Sequence, residues 1–451
     1  MTTTLIVPRA VMTMDSDDRL LHGGAILVEG RTITRVLSAG ELAERRPEVD
    51  VVVDAGELVA LPGFIQTHIH LCQTLFRGLA EDLELLDWLQ SKIFPFEAAH
   101  TSSSMYASAR IGIAELIRGG TTTIMDMGSV HHEEEVVRAI TETGLRAFVG
   151  KAMMDINTMH PPLKEPTNEV LRSTLRQAEQ WHGSAGGRIR YAVAPRFILS
   201  CTDALLRDAH AMTAGFAGML FHTHASENRQ ELEAVRARCG MDNVAYFDHL
   251  GILQSNTCLA HCVWLNDDEI AAMRERDACV LHCPSSNLKL GSGIADIPRY
   301  LHEGIRVSLG ADGAPCNNRL DMFAEMHLAA LIQKPGYGPT AMPARTVLKM
   351  ATAGGAAVLG IERETGSIVA GKRADIILLD LRRPWSAPVT ETQDALAATI
   401  VHACSPDNVH SVMIDGQWVY RQREHTMLDV DRAIYDADTE LRALLQRANV
   451  S

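Results

Sequence analysis

LPGFIQTHIHLCQTLFRGL, residues 61–79, runs from an apolar stretch into two histidines two positions apart. In a β-strand, residues i and i+2 point to the same face. His68 and His70 therefore project side by side, a geometry suited to two bonds to one metal ion. The same pair would also serve as a plain polar patch at a strand end. The rest of the chain decides between the two.

Seven more apolar runs read as buried strands: TTTIMDM (121–127), RAFVGKA (146–152), RIRYAVAP (188–195), GMLFHTHAS (218–226), TCLAHCV (257–263), ACVLHCP (278–284) and IRVSLGADG (305–313). Amphipathic stretches such as MYASARIGIAELIRGG (105–120) and DALLRDAHAMTAGF (203–216) lie between them. Strands alternating with helices imply parallel βα units, and eight units close a barrel. The predicted class is α/β, with a (β/α)8 barrel over residues 61–363. The two ends of the chain are β-rich, in TLIVPRAVMTM (4–14), GGAILVEGRTITRVL (23–37), VDVVVDAGELVALPG (49–63), GSIVAGKRADIILLDL (366–381) and VHSVMIDGQWVYRQ (409–422). Neither end is long enough for a good core, so residues 1–60 and 364–451 are expected to share one small β-sandwich, with a helix at the C-terminal end. Pro161-Pro162 marks a long loop after the third barrel strand, a good place for a substrate-specific element.

Composition narrows the class. At 451 residues, 46% hydrophobic and 22% charged, the chain is that of a globular protein. A net charge of −14 argues against a nucleic-acid surface, which needs clustered Lys and Arg. No apolar run reaches membrane-spanning length. Nine cysteines without a regular framework, and a start with no signal-peptide pattern, lead us to expect the cytoplasm. Cys258/Cys262 and Cys279/Cys283 could be read as metal pairs, but each cysteine lies in or beside an apolar run, where a small buried hydrophobe is the commoner role.

Polar residues gather at the C-terminal ends of the expected strands. Strand one ends in His68 and His70, strand five in His222, His224 and Glu227, strand six in His261, strand seven in His282 and strand eight in Asp312. That end of a barrel is where its chemistry sits. Imidazole and carboxylate ligands suit one divalent ion, zinc first, with iron or nickel also compatible. Such an ion needs an open position for water, whose pKa it lowers toward neutrality.

LPGFIQTHIH, HTHASENR (222–229), LAHCVWL (259–265), HCPSSNLKLGSG (282–293) and LGADGAPCNN (309–318) together resemble the amidohydrolase superfamily, in particular its metal-dependent cytosine, guanine and adenosine-type deaminases and the triazine hydrolases. The resemblance spans about residues 5–425. It implies a distorted (β/α)8 barrel with a composite β-sandwich, and one metal held by His68, His70, His224 and Asp312. It also implies Glu227 as the proton shuttle between the attacking water and a ring nitrogen, and His261 as the group that orients the hydroxide. Asp312 would in addition relay a proton to the departing ammonia. His222 is expected to be structural, and His131, His132 and His160 to lie on helices or loops. The resemblance further implies a small heterocyclic substrate and a homo-oligomer, dimer or tetramer. A non-catalytic binding protein on this barrel is disfavoured because the ligand set is complete.

Two subfamilies pull on the substrate. RGLAEDLELLDWLQSKIFPFE (77–97) resembles deaminases of 5′-deoxyadenosine, methylthioadenosine and S-adenosylhomocysteine, and Glu97 matches their acidic residue on the ribose hydroxyls. A carboxylate suits a diol because it accepts from both hydroxyls. Lys151 stands where homocysteine-binding members carry an arginine, which weakens the case for a charged tail. APRFILSC (194–201) resembles guanine deaminases, placing Gln73 and Arg196 at the base's polar edge and Phe197 beside it. The leading expectation is a 5′-deoxyadenosine-type deaminase. A guanine, 8-oxoguanine or pterin deaminase and an s-triazine hydrolase are the alternatives.

Overall fold

The computed structural model describes residues 2–158 and 160–450. The start of the chain supplies β1 (Thr3–Met12), β2 (Leu20–His22), β3 (Ala25–Glu29), β4 (Thr32–Leu37) and β5 (Val51–Pro62). The barrel strands follow as β6 (Phe64–His70), β7 (Thr121–Asp126), β8 (Arg146–Val149), β9 (Ala152–Met153), β10 (Ile189–Pro195), β11 (Leu220–Ala225), β12 (Thr257–His261), β13 (Cys279–His282), β14 (Arg306–Leu309) and β15 (Asp312–Gly313). The chain then returns in β16 (Ile376–Leu379), β17 (Val409–Ile414), β18 (Gln417–Arg421) and β19 (Glu424–His425).

Each expected barrel run is a strand, and every pairing between them is parallel, in the order β14-β13-β12-β11-β10-β8-β7-β6-β15. Strand three is broken into β8 and β9, and strand eight into β14 and β15. The ring closes where Asp312 pairs with Ile69 and where the Thr67 hydroxyl lies 2.6 Å from that of Ser308. Gly310, in the break of strand eight, makes this approach possible: a Cβ there would lie 2.7 Å from the His68 carbonyl oxygen. These breaks, with register shifts between β6 and β7, are the distortion of the barrel.

Period-2 alternation sorts the barrel side chains. Met125, Phe148, Ala192, Leu220, Cys258, Ala260, Cys279 and Leu281 form one apolar cluster with Val358, Leu359 and Ile361. Alternate residues such as Ile124, Tyr191, Phe221, Leu259 and Val280 join the larger cluster that includes the surrounding helices. Leu220, His222 and His224 share a face, so the apolar floor leads directly up to the histidines.

The ends of the chain build the sandwich sheet, in the order β19-β18-β17-β16-β5-β1-β3-β4 with β2 on β1. β5 pairs with β1 and with β16, and its last residue, Pro62, leads within two residues into β6. A buried ion pair ties the two bodies: Arg146 of β8 donates to both carboxylate oxygens of Asp375, at 2.8 and 3.1 Å. The helix Val430–Ala448 packs on the barrel helix Ser102–Arg118, and its Ala437 and Leu444 join an apolar cluster with Phe76, Trp88 and Phe96. Among the described residues, no helix is long and apolar enough to cross a membrane.

Candidate active site

Four ligand atoms, one each from His68, His70, His224 and Asp312, lie within 4.8 Å of one another at the C-terminal ends of β6, β11 and the eighth strand. The His70 Nε2 is 3.3 Å from both His224 Nε2 and Asp312 Oδ1, and the His68 Nε2 is 3.4 Å from the same carboxylate oxygen. The His68 Nε2 is buried and has no hydrogen-bond partner. Imidazole nitrogens crowded on one carboxylate, with one of them orphaned, fit a divalent cation between them. Two of the imidazoles are oriented from behind: His68 Nδ1 lies 2.7 Å from His222 Nε2, and His224 Nδ1 lies 2.7 Å from the Arg196 carbonyl oxygen. Such outer partners fix ring orientation at metal sites. His222 thus stands behind the cage, as expected of a structural histidine.

Burial, with neighbouring imidazoles adding to it, holds His70, His222 and His224 well below the ordinary imidazole range, so each ring is neutral and keeps one nitrogen lone pair. Burial pushes the Asp312 carboxyl up, but the close His68 ring and the other imidazoles around it outweigh this and leave Asp312 well below the usual carboxylate range. The backbone of Asp312 is left-handed, at φ 63°, which turns the carboxylate inward from the end of the broken strand.

Two further groups face the cage. The His261 Nε2 stands 3.4 Å from Glu227 Oε2 and 3.9 Å from Asp312 Oδ2. Burial lowers His261 to about 4 and, with the charges of Asp312 and Glu231, raises Glu227 well above the carboxylate range. A neutral imidazole beside a carboxyl that prefers its proton is a competent pair for proton transfer. The Glu227 backbone N–H donates to Glu231 Oε2 at 2.8 Å, and burial raises Glu231 itself to about 7.

The loop after β13 supports both acids and bases. Ser286 Oγ donates to Asp312 Oδ2 at 2.6 Å, and the Asn287 amide oxygen lies 2.8 Å from His261 Nδ1. That loop is anchored by Glu325, which accepts from the Ser285 hydroxyl at 2.5 Å and from Asn317 Nδ2 at 2.8 Å. Asn317 also donates to the Ala311 carbonyl, next to Asp312. Glu231, Ser286, Asn287, Asn317 and Glu325 were not singled out by the sequence. The i+4 spacing of Glu227 and Glu231 at a helix start was one readable signal, and Ser286, Asn287 and Asn317 lie within the HCPSSNLKLGSG and LGADGAPCNN stretches quoted above, where no role was given to them.

Above the cage lies a cleft of about 410 Å³, with Leu85, Trp88, Leu89, Phe197 and Leu290 as its apolar wall. Gln73, Arg196 and Phe197 line it. Glu97 sits behind, 5% exposed, and binds the two polar candidates: Gln73 Nε2 donates to its Oε1 at 2.8 Å and Arg196 Nη1 to its Oε2 at 2.6 Å. Gly313 leaves room for Gln73, since a Cβ there would lie 2.1 Å from the amide oxygen. One of the two Gln73 amide N–H donors is therefore committed, and the amide oxygen, packed against Gly313, is buried without a partner. Glu97 thus takes one of the two N–H donors of Gln73 and one of the five of Arg196, the two groups expected at the base's polar edge. Lys151 does not line the cleft. Its ammonium is 2.8 Å from Glu165 Oε2 and donates to the Val130 carbonyl. His282 is buried with both ring nitrogens unpartnered, lowered by burial to about 3, and is not among the four converging ligands.

Metal-dependent hydrolases on a (β/α)8 scaffold are the class that this barrel and its mouth define. Residues 59–419 match the amidohydrolase family, and the chain belongs to that family. It is 40% identical over 417 residues to a 5′-deoxyadenosine deaminase of Methanothermobacter thermautotrophicus, covering 91% of this chain and 92% of that one. It is 39% identical over 385 residues to a 5-methylthioadenosine/S-adenosylhomocysteine deaminase of Moorella thermoacetica, covering 85% and 87%. Among solved structures, an adenosine deaminase of Xanthomonas campestris with bound zinc superposes with a TM-score of 0.91 at 29% identity, covering 98% of each chain.

Proposed function

We propose that the chain is a hydrolytic deaminase of a purine nucleoside, 5′-deoxyadenosine or a related 5′-modified adenosine, and that it works with one divalent ion, zinc first. The observation that carries the reaction class is the convergence of His68, His70, His224 and Asp312 beneath Glu227 and His261. The nucleoside is supported by the relatives' names at about two-fifths identity over most of the chain. A metal ion in this cage supplies Lewis acidity that brings a water's pKa toward neutrality.

The chain's own residues handle the protons. The Glu227 carboxylate receives the water's proton at Oε2 and, as the acid, delivers it to the adenine ring nitrogen beside the reacting carbon. His261 Nε2, held by Asn287, steadies the oxygen that attacks that carbon. Asp312 Oδ2 takes the second proton of the attacking water from its oxygen and passes it to the departing amine, which leaves as ammonia as the C–N bond breaks. Gln73, Arg196 and Phe197 flank the base, and Glu97 turns its remaining lone pairs to the ribose hydroxyls. Lys151 is held away from the substrate by its pair with Glu165.

Free thiols at all nine cysteines, seven of them buried, support a cytoplasmic setting. Exposed Met427, Ile434 and Tyr435 offer apolar surface for a dimer or tetramer. The test is ammonia release from 5′-deoxyadenosine, methylthioadenosine, adenosine, guanine, 8-oxoguanine, isoxanthopterin and melamine by zinc-loaded enzyme. Turnover of the 5′-modified adenosines is expected. Their inertness beside turnover of guanine would overturn the reading.

A further inference from the structure

Leu89 and Phe197 line the catalytic cleft on one side and a second chamber on the other. The chamber encloses about 710 Å³, its opening to solvent included. Leu86, Phe94, Ile156, Leu199 and Ala234 make its apolar wall, the neutral polar Gln90, Asn157, Thr158 and Ser200 complete it, and no charged side chain is among the described lining residues. The two cations closest in role are already held, Lys151 by Glu165 and Arg196 by Glu97. Among the polar lining residues Asn157 is buried with a spare donor: its amide oxygen accepts from the His160 N–H at 2.7 Å, which leaves Asn157 Nδ2 without a partner.

We infer that this chamber seats the substrate's 5′ substituent and selects an uncharged alkyl or alkylthio group over one ending in amino-acid charges. The inference rests on the nucleoside reading above. A thioether fits twice over: its carbons meet the apolar wall, and its sulfur is a weak acceptor for the Asn157 amide. A carboxylate in the same place would be desolvated with no cation to pair with, which is costly. A lone methyl, as in 5′-deoxyadenosine, would leave most of the chamber unfilled. Activity should therefore rise from 5′-deoxyadenosine to methylthioadenosine to 5′-butylthioadenosine.

The experiment compares kcat/KM of zinc-loaded enzyme for those three nucleosides and for S-adenosylhomocysteine, in the native chain and in Ala234→Leu. Ala234 lies half-buried on the helix Arg229–Cys239, where leucine is a good helix former. S-adenosylhomocysteine is expected at least about 100-fold below methylthioadenosine, the order of discrimination that an unpaired buried polar group imposes. Ala234→Leu should lower the butylthio-to-deoxy ratio at least about tenfold by filling the chamber. S-adenosylhomocysteine within about threefold of methylthioadenosine, or a ratio unmoved by Ala234→Leu, would overturn the chamber's role while leaving the deaminase reading standing. Should Ala234→Leu fail to fold, the native panel alone decides. No turnover of any of the four nucleosides would instead overturn the parent reading, and the chamber assignment with it.

Discussion

Replacing Glu227 by glutamine separates catalysis from architecture. The side chain keeps its shape and its place 3.4 Å from His261 but can no longer take or give a proton. General acid–base catalysis is worth about 10²–10⁴ in rate. At about 1.4 kcal/mol per decade, that is about 3–5 kcal/mol of barrier. The same carboxyl serves both the attacking water and the ring nitrogen, so kcat on 5′-deoxyadenosine should fall to the far end of that range, about 10⁴-fold. Glu227 is not one of the four converging ligands, so metal content should stay at the native value. Burial and the charges of Asp312 and Glu231 already favour the proton-bearing form of Glu227, so an uncharged amide there should leave thermal stability equal or higher. The assay is ammonia release alongside elemental analysis and thermal melting of the same preparation. A kcat within tenfold of native, or a loss of rate that follows a loss of metal, would refute the shuttle.

Other perturbations follow from the same geometry. Glu325→Ala should lower kcat about tenfold or more at native metal content, because Ser285 and Asn317 lose the anchor that sets Ser286 and Asn287; Glu325→Gln should restore most of it. Burial raises Glu325 to about 7, above its unfolded value near 4.5, so the folded state binds the extra proton and native stability falls as pH rises from about 4.5 through 7. Glu325→Gln should therefore gain in urea midpoint relative to native between pH 5 and pH 8, and a pH-independent difference would count against it. Asp375→Ala takes both carboxylate hydrogen bonds from the buried Arg146 guanidinium and leaves it only Asp415, at 3.5 Å, so it should cost about 3 kcal/mol in urea unfolding; replacing both partners by apolar residues should cost much less. Glu97→Ala frees Gln73 and Arg196 and removes a ribose acceptor, so it should raise KM for nucleosides about tenfold or more and for free purine bases by less; an equal rise for both would remove Glu97 from the ribose.

The strands and the histidines were legible because both are local. Apolar runs of four to eight residues mark buried strands, and the spacing of His68 with His70, or of His222 with His224, puts each pair on one face. What the sequence hid depends on contacts across the fold. Glu97 and Arg196 are 99 residues apart, and nothing in either stretch shows that they pair. Lys151 looked available at its strand end, yet Glu165 in the following loop claims its charge. Glu325 carries no motif; it matters because the chain folds Ser285 and Asn317 onto it. The C-terminal helix was grouped with the sandwich by chain position, whereas its apolar face packs on a barrel helix. The left-handed backbones of His261 and Asp312, at φ 74° and 63°, aim their side chains inward and leave no sequence signature in residues that are not glycine.

The claim on which everything else stands is that the four residues hold one ion needed for ammonia release. Metal-stripped enzyme titrated with zinc, with 5′-deoxyadenosine as substrate, tests it directly. Activity should rise in proportion to added zinc and level off at about one equivalent per chain, and His70→Ala should bind less metal and stay inactive throughout. Full activity in the stripped protein, or a titration with no relation to metal bound, would contradict the account.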